Sequence, residues 1–158
     1  MKTPVSPDFH PMVRPALPGD VQGVAGCIKA AFSPYIERIG KPPAPMLLDF
    51  PEMIAAGNVW IAEIASRVVG VLVQYETEAG FYIDTVAALP ELQGTGVGRA
   101  LLLFAESEAT RRGYDSLYLC TNVKMIENQA LYPRIGYVEY ERKIDQGYDR
   151  IFYRKQLS

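Results

Sequence analysis

The order of apolar patterns predicts an α/β fold: a central twisted mixed sheet of about seven strands flanked by about four helices. Three observations carry this. Residues 58–76 hold two alternating apolar runs around a two-residue break, the mark of an antiparallel hairpin. Residues 81–120 read strand, helix, strand, a βαβ unit whose strands around Ile83 and Leu119 run parallel as the fourth and fifth of the sheet. Two more strands follow a second short helix, giving the order β, α, irregular, β, β, β, α, β, α, β, β.

The elements justify themselves in turn. "MVRPA" from Met12 is a short strand, and Asp20 is expected to cap a helix over about Val21 to Phe32, where apolar residues recur at helical spacing. Ser33 to Phe50 is irregular, since Pro42, Pro43 and Pro45 preclude one continuous helix. Long ordered connectors of this kind often serve binding. "NVWIAEIA" and "VVGVLVQYE" form the hairpin with "SR" as its turn, and "FYIDTVAAL" is a strand stopped by Pro90. A helix then runs to about Arg112, ended by Gly113, with Val97, Leu101, Phe104 and Ala105 on its apolar stripe. "SLYLC" is the parallel partner strand. Asn122 is expected to cap a short helix through "MIENQALYPRI", with Gly136 at its end, and "YVEYER" and "RIFYRKQL" close the chain as a hairpin.

Composition narrows the classes of function. At 158 residues the expected organisation is a flexible arm over 1–11 and one domain over 12–158. An apolar fraction of 49% and a charged fraction of 22% are ordinary for a globular chain. The net charge of −2 and the lack of a basic block argue against nucleic acid as a partner. Cys27 and Cys120 lie far apart and His10 is the only histidine, so no metal is expected. No apolar run reaches the roughly 18 residues that span a bilayer. With no signal-peptide core at the N-terminus, the expected location is the cytoplasm, without a membrane partner. A homodimer is left open.

The chemistry concentrates in "LPELQGTGVGRALL", where Gly94, Gly96 and Gly98 directly precede a helix. The first backbone N–H groups of a helix have no intrahelical partner, and glycines let an anionic ligand approach them closely. A tight turn feeding a helix would use the same residues. A P-loop is ruled out because no lysine follows the glycines. A dinucleotide fingerprint fails at Arg99, despite Asp115 downstream, and would open its fold instead of following three antiparallel strands.

Gln93-Gly94-Thr95-Gly96-Val97-Gly98, preceded by "ALPEL", matches Q/R-x-x-G-x-G/A, and "ALYPRIGY" from Ala130 to Tyr137 matches A-L-Y-x-x-x-G-[FY]. With both motifs in this order of elements, the sequence resembles the GNAT superfamily of acyl-CoA-dependent N-acyltransferases. The resemblance spans about Val13 to Leu157 and is tightest from Ile83 to Tyr137. It implies acetyl-CoA as co-substrate, with Val86, Ala87 and Ala88 meeting the pantetheine arm. The N–H groups from Gly94 to Arg99 would hold the pyrophosphate, and Tyr132 would be the general acid for the departing thiolate. Where the family often has asparagine, this sequence has Met125; Asn128, four residues before Tyr132, is the candidate replacement, its alternative being a solvated helix surface.

The reaction so implied is acetyl transfer to a primary amine, of a small molecule or a protein, by direct attack. An amine of pKa about 10.4 is neutral only about once in 2,000 molecules at pH 7, so a base or a desolvating pocket is needed. Asp84, Tyr82 and Glu76 are the candidates, Asp84 first; the alternative for Asp84 is an exposed strand residue. Cys120 could take the acetyl group covalently or simply fill space. Arg99, Arg111, Arg112 and Lys124 are candidates for the remaining phosphate. Tyr35, Ile36, Met46 and Tyr82 are expected to line the acceptor pocket. The competing reading is an acetyl-CoA-binding sensor without turnover, and Tyr132 weighs against it, because a binder needs no acid.

Overall fold

The computed structural model describes residues 11–158. The arm expected over 1–11, with His10 in it, therefore lies almost wholly outside the described residues. Seven strands form one sheet: β1 (Met12–Pro15), β2 (Val59–Ile64), β3 (Arg67–Thr77), β4 (Gly80–Ala88), β5 (Ser116–Asn122), β6 (Val138–Asp145) and β7 (Tyr148–Gln156). Their order is β1-β2-β3-β4-β5-β7-β6, with β4 and β5 parallel and the other pairs antiparallel. The expected mixed sheet and its parallel pair are present. Its last strand, β7, inserts between β5 and the edge strand β6.

Among the described residues, five α-helical segments accompany the sheet: α1 (Val21–Phe32), α2 (Ile36–Ile39), α3 (Phe50–Ala55), α4 (Val97–Arg111) and α5 (Ile126–Arg134). The α1 and α4 helices pack on the sheet through stripes at helical spacing: Val24, Cys27, Ile28 and Ala31 on one, Val97, Leu101, Ala105 and Ala109 on the other. The α4 helix seats closely on β3 because residue 70 is glycine. A Cβ there would lie 2.7 Å from Val97 Cγ1, 2.9 Å from Leu101 Cδ1 and 3.1 Å from the Ala87 carbonyl oxygen.

Three local expectations are corrected. Asp20 precedes α1 but does not cap it with its side chain. The Arg14 guanidinium takes the carboxylate at 2.8 Å, the Leu17 N–H donates to it at 2.7 Å, and this pairing holds Asp20 below its usual pKa. Arg14 also reaches Glu63 at 2.7 Å, which ties β1 to β2. The β2–β3 turn is Ala65-Ser66, one residue earlier than "SR", with φ of 49° and 64°; two positive φ values match the twist of a two-residue hairpin. Asn122 accepts from the Lys124 N–H at 2.9 Å instead of capping α5, which starts four residues later at Ile126.

Candidate active site

The site originates in a register slip. On β3, Val73 pairs with Thr85 and Gln74 with Ile83, so Asp84 is an extra residue in β4, a β-bulge. β5 pairs with β4 only through Phe81, Tyr82 and Ile83, while its other edge stays paired with β7 from Ser116 to Asn122. Among the described residues, the two strands have no strand partner on their facing edges beyond Ile83. The resulting opening belongs to a cleft of about 1490 Å³ that runs from the 33–50 segment, past β4 and β5, to the entrance of α4 and the face of α5.

At one end the cleft meets the glycine loop. Thr95 N–H bonds Leu92 O at 3.1 Å, and the Ala100 N–H makes the first bond of α4, to Gly96 O, at 2.9 Å. Among the described residues the N–H groups of Gly94, Gly96, Val97, Gly98 and Arg99 have no backbone partner. They are the orphan donors of a helix start, where the helix dipole favours negative charge. Gly96 needs to be glycine for its φ of 104°. Gly98 does not: its backbone is ordinary, and a Cβ built there meets nothing within 4 Å. Neither the turn nor the protein's own packing explains glycine at 98, whereas close approach of an anion does.

The loop residues divide. Gln93, Gly94, Gly96, Gly98 and Arg99 line the cleft, with Val86, Ala87 and Ala88 on the open stretch of β4. Thr95 and Val97 do not. The Thr95 hydroxyl bonds Leu92 O and its N–H is occupied, while the Val97 side chain is fully buried in the core, leaving only its N–H for a ligand. Arg111 and Arg112 sit at the opposite end of α4, ion-paired with Glu108, and Lys124 does not line the cleft.

The middle of the cleft holds Tyr132, Asn128 and Cys120. The Tyr132 ring is 7% exposed, wedged against Tyr137 and Tyr153 at 5.5 and 5.7 Å between ring centres. The residue lines the cleft, its hydroxyl has no hydrogen-bond partner among the described residues, and burial pushes its pKa well up. Thus it packs as an aromatic and keeps an unpartnered hydroxyl. Pro133 follows without ending α5, which continues to Arg134. Asn128 is half-buried, and its amide donates to Thr121 Oγ1 at 2.9 Å, so it is not a solvated surface residue. The Cys120 thiol lies 3.2 Å from the Tyr82 hydroxyl, and burial raises its pKa, which disfavours the thiolate a covalent route requires.

Asp84 stands at the bulge. Tyr75 donates to Asp84 Oδ2 at 2.6 Å and Thr85 to Oδ1 at 3.0 Å. Tyr82 packs edge-on to Tyr75 and stacks on Tyr118, and burial raises the pKa of both Tyr75 and Tyr82. Glu76 does not line the cleft: the alternation of β3 turns it towards Arg112, 3.5 Å away.

On the far wall Tyr35 lines the cleft as expected, but Ile36 and Met46 do not. Ser33–Tyr35 is a 3-10 turn leading into α2, so the next residue facing the same way is Ile39, one turn on, not Ile36. Met46 lies in a second 3-10 turn and packs against the core, leaving Pro45 and Leu47 to the cleft. The sequence reading missed Tyr75, Tyr118 and Tyr148. The two-residue period of β3, in register with β4, carried the signal for Tyr75; no local signal marked the other two.

Among the described residues no cluster of His, Cys, Asp or Glu could hold a metal ion, and no helix is long and apolar enough to cross a membrane.

Comparison with known proteins agrees with this geometry. Residues 55–139 match the family model described as "Acetyltransferase (GNAT) domain", over more than half of the chain. The structure is similar to a PaiA N-acetyltransferase from Thermoplasma acidophilum in complex with coenzyme A (TM-score 0.77, 14% identity, covering 94% of this chain and 99% of that one). It is also similar to an acetyltransferase of GNAT family from Staphylococcus aureus MU50 (TM-score 0.75, 16% identity, 94% and 100%). An IAA acetyltransferase from Bacillus cereus ATCC 14579 aligns at TM-score 0.68 and 21% identity, over 94% and 100%. At these identities the likeness is one of fold. No curated protein matches the sequence.

Proposed function

The chain belongs to the GNAT acetyltransferase family, and we propose that it transfers the acetyl group of acetyl-CoA to a primary amine by direct attack. One observation carries the reading: the row of unpartnered N–H groups around Gly98, at the mouth of a cleft that leads to the unpartnered Tyr132 hydroxyl. A relative in fold binds coenzyme A, and these donors suit its pyrophosphate. When bound, acetyl-CoA supplies an activated acyl thioester.

The chain's own residues do the rest. The N–H groups of Gly94, Gly96, Val97, Gly98 and Arg99 hold the phosphates. The unpaired strand edge at Val86 to Ala88 and the Asn128 side chain hold the arm. Asp84 takes a proton from the acceptor ammonium and frees its lone pair. Tyr132 donates its proton to the leaving sulfur as the carbon–nitrogen bond forms and the carbon–sulfur bond breaks. The surplus proton on the new amide nitrogen then restores Tyr132. A raised tyrosine pKa suits this role, since the phenol keeps its proton across neutral pH.

The test is free-thiol release from acetyl-CoA over a panel of amines, beside calorimetric binding of acetyl-CoA. Thiol release that depends on an amine is expected. Tight binding with no release for any amine would make the domain a sensor instead.

A further inference from the structure

Charge is divided unevenly at the acceptor end of the cleft. Arg38 is bound to Glu127 at 2.9 Å and Arg150 to Asp145 at 2.9 Å. The Lys41 ammonium donates to Gly147 O at 2.6 Å and lies over the Tyr148 ring. Each of these cations is engaged. Asp84 differs: it lines the cleft, no ion pair reaches it among the described residues, and its two donors are the neutral hydroxyls of Tyr75 and Thr85. A carboxylate so placed accommodates one positive charge and leaves none of its own for a second.

The wall opposite is apolar. Tyr35, Ile39, Pro45 and Leu47 line it, and Leu47 is 67% exposed, a leucine held at the rim by no packing of its own. That wall is fastened at two points. Arg38 ties α2 to α5 through Glu127, and Tyr148 donates to Pro42 O at 2.6 Å beside the β6–β7 turn. A wall tied down at both ends suits a small acceptor better than a polypeptide.

We infer that the acceptor is a small primary monoamine with an apolar body and no carboxylate, its single ammonium at Asp84 between Tyr75 and Tyr82 and its carbon skeleton against Tyr35, Ile39 and Leu47. The inference rests on the acetyl-transfer reading and narrows its acceptor. An amino acid would bring a carboxylate to the end of the cleft where Arg150 is ion-paired and Arg38 and Lys41 are engaged beside it, whereas Arg134, which also lines the cleft, lies at the far end of α5. A polyamine would bring two or more charges to one unpaired carboxylate, since Asp145 and Glu127 are already neutralised by arginine. An ammonium beside tyrosine rings also gains cation–π attraction, and apolar area buried against the wall adds to affinity.

Coenzyme A release with matched amines tests this. The kcat/KM for phenethylamine is expected to exceed those for phenylalanine and spermidine by about tenfold or more, roughly one decade of discrimination. Leu47→Glu, at an exposed position, adds a second carboxylate to the cleft and is expected to raise cadaverine over pentylamine by about tenfold. Preference of the wild type for phenylalanine or spermidine, or an unmoved ratio in L47E, overturns the inference and leaves acetyl transfer standing. No release with any amine overturns the transfer reading itself.

Discussion

The Tyr75 hydroxyl donates to Asp84 Oδ2 at 2.6 Å, joining the residue that β4 gains at its bulge to the neighbouring strand. The bulge puts a carboxylate on the cleft at the point where β5 leaves β4. A regular strand would have paired residue 84 with β3. The extra residue thus supplies both the opening and the group beside it, which is what bulges near active sites commonly do.

Asp84→Asn keeps the hydrogen bond from Tyr75 and removes the negative charge. Turnover with the best amine is expected to fall about a hundredfold, while calorimetric affinity for acetyl-CoA and the melting temperature stay near wild type. Loss of acetyl-CoA binding with intact amine kinetics would mean that the donor and acceptor ends have been interchanged.

Gly98→Val tests the loop. Gly98 has ordinary backbone and open space around it, so the fold should tolerate valine; Gly96, at φ 104°, would not. Acetyl-CoA affinity is expected to drop about tenfold, or about 1.4 kcal/mol, with little change in melting temperature. Unchanged affinity in a folded variant would remove the phosphates from this loop.

Tyr132→Phe keeps the ring wedged against Tyr137 and Tyr153 and removes only the proton. Turnover is expected to fall about a hundredfold with acetyl-CoA affinity unaltered. Full activity would make Tyr132 a packing residue and assign the proton to water.

The buried phenols also set a pH limit on the fold. Burial raises the pKa of Tyr75, Tyr82, Tyr132 and Tyr137 in the folded chain, while in the unfolded chain tyrosine titrates near its ordinary value of about 10. Below that pH both states hold these protons, and the stability the groups contribute is fully present. Above it the unfolded chain ionises first and is favoured. The melting temperature should therefore be insensitive to these tyrosines between about pH 7 and 9 and fall above about pH 10. A constant melting temperature up to about pH 11 would contradict their burial.

Much of this was legible in residue order. Alternation around Ala65 marked the β2–β3 hairpin, and strand, helix, strand forced the parallel pair at Ile83 and Leu119. The glycines before α4 and the "ALY" ending at Tyr132 marked two ends of the cleft. What escaped depends on geometry within a single turn or on contacts distant in sequence. Ile36 and Met46 looked apt by composition, but 3-10 turns rotated them off the cleft and put Ile39 and Leu47 there. Asp20 had the right chemistry for a cap, and a guanidinium six residues away competed successfully for it. Thr95 belonged to the motif, yet its own turn consumed its N–H. The slip at Asp84 is invisible to hydrophobic patterning, since buried and half-buried residues alternate along all of β4.

A crystal structure with coenzyme A bound tests the central claim most directly, because the function rests on where the phosphates and the sulfur lie. The pyrophosphate is expected on the N–H groups of Gly94 to Arg99, and the sulfur between β4 and β5 within hydrogen-bond distance of the Tyr132 hydroxyl. Phosphates bound away from the α4 entrance, or a sulfur out of reach of Tyr132, would contradict it.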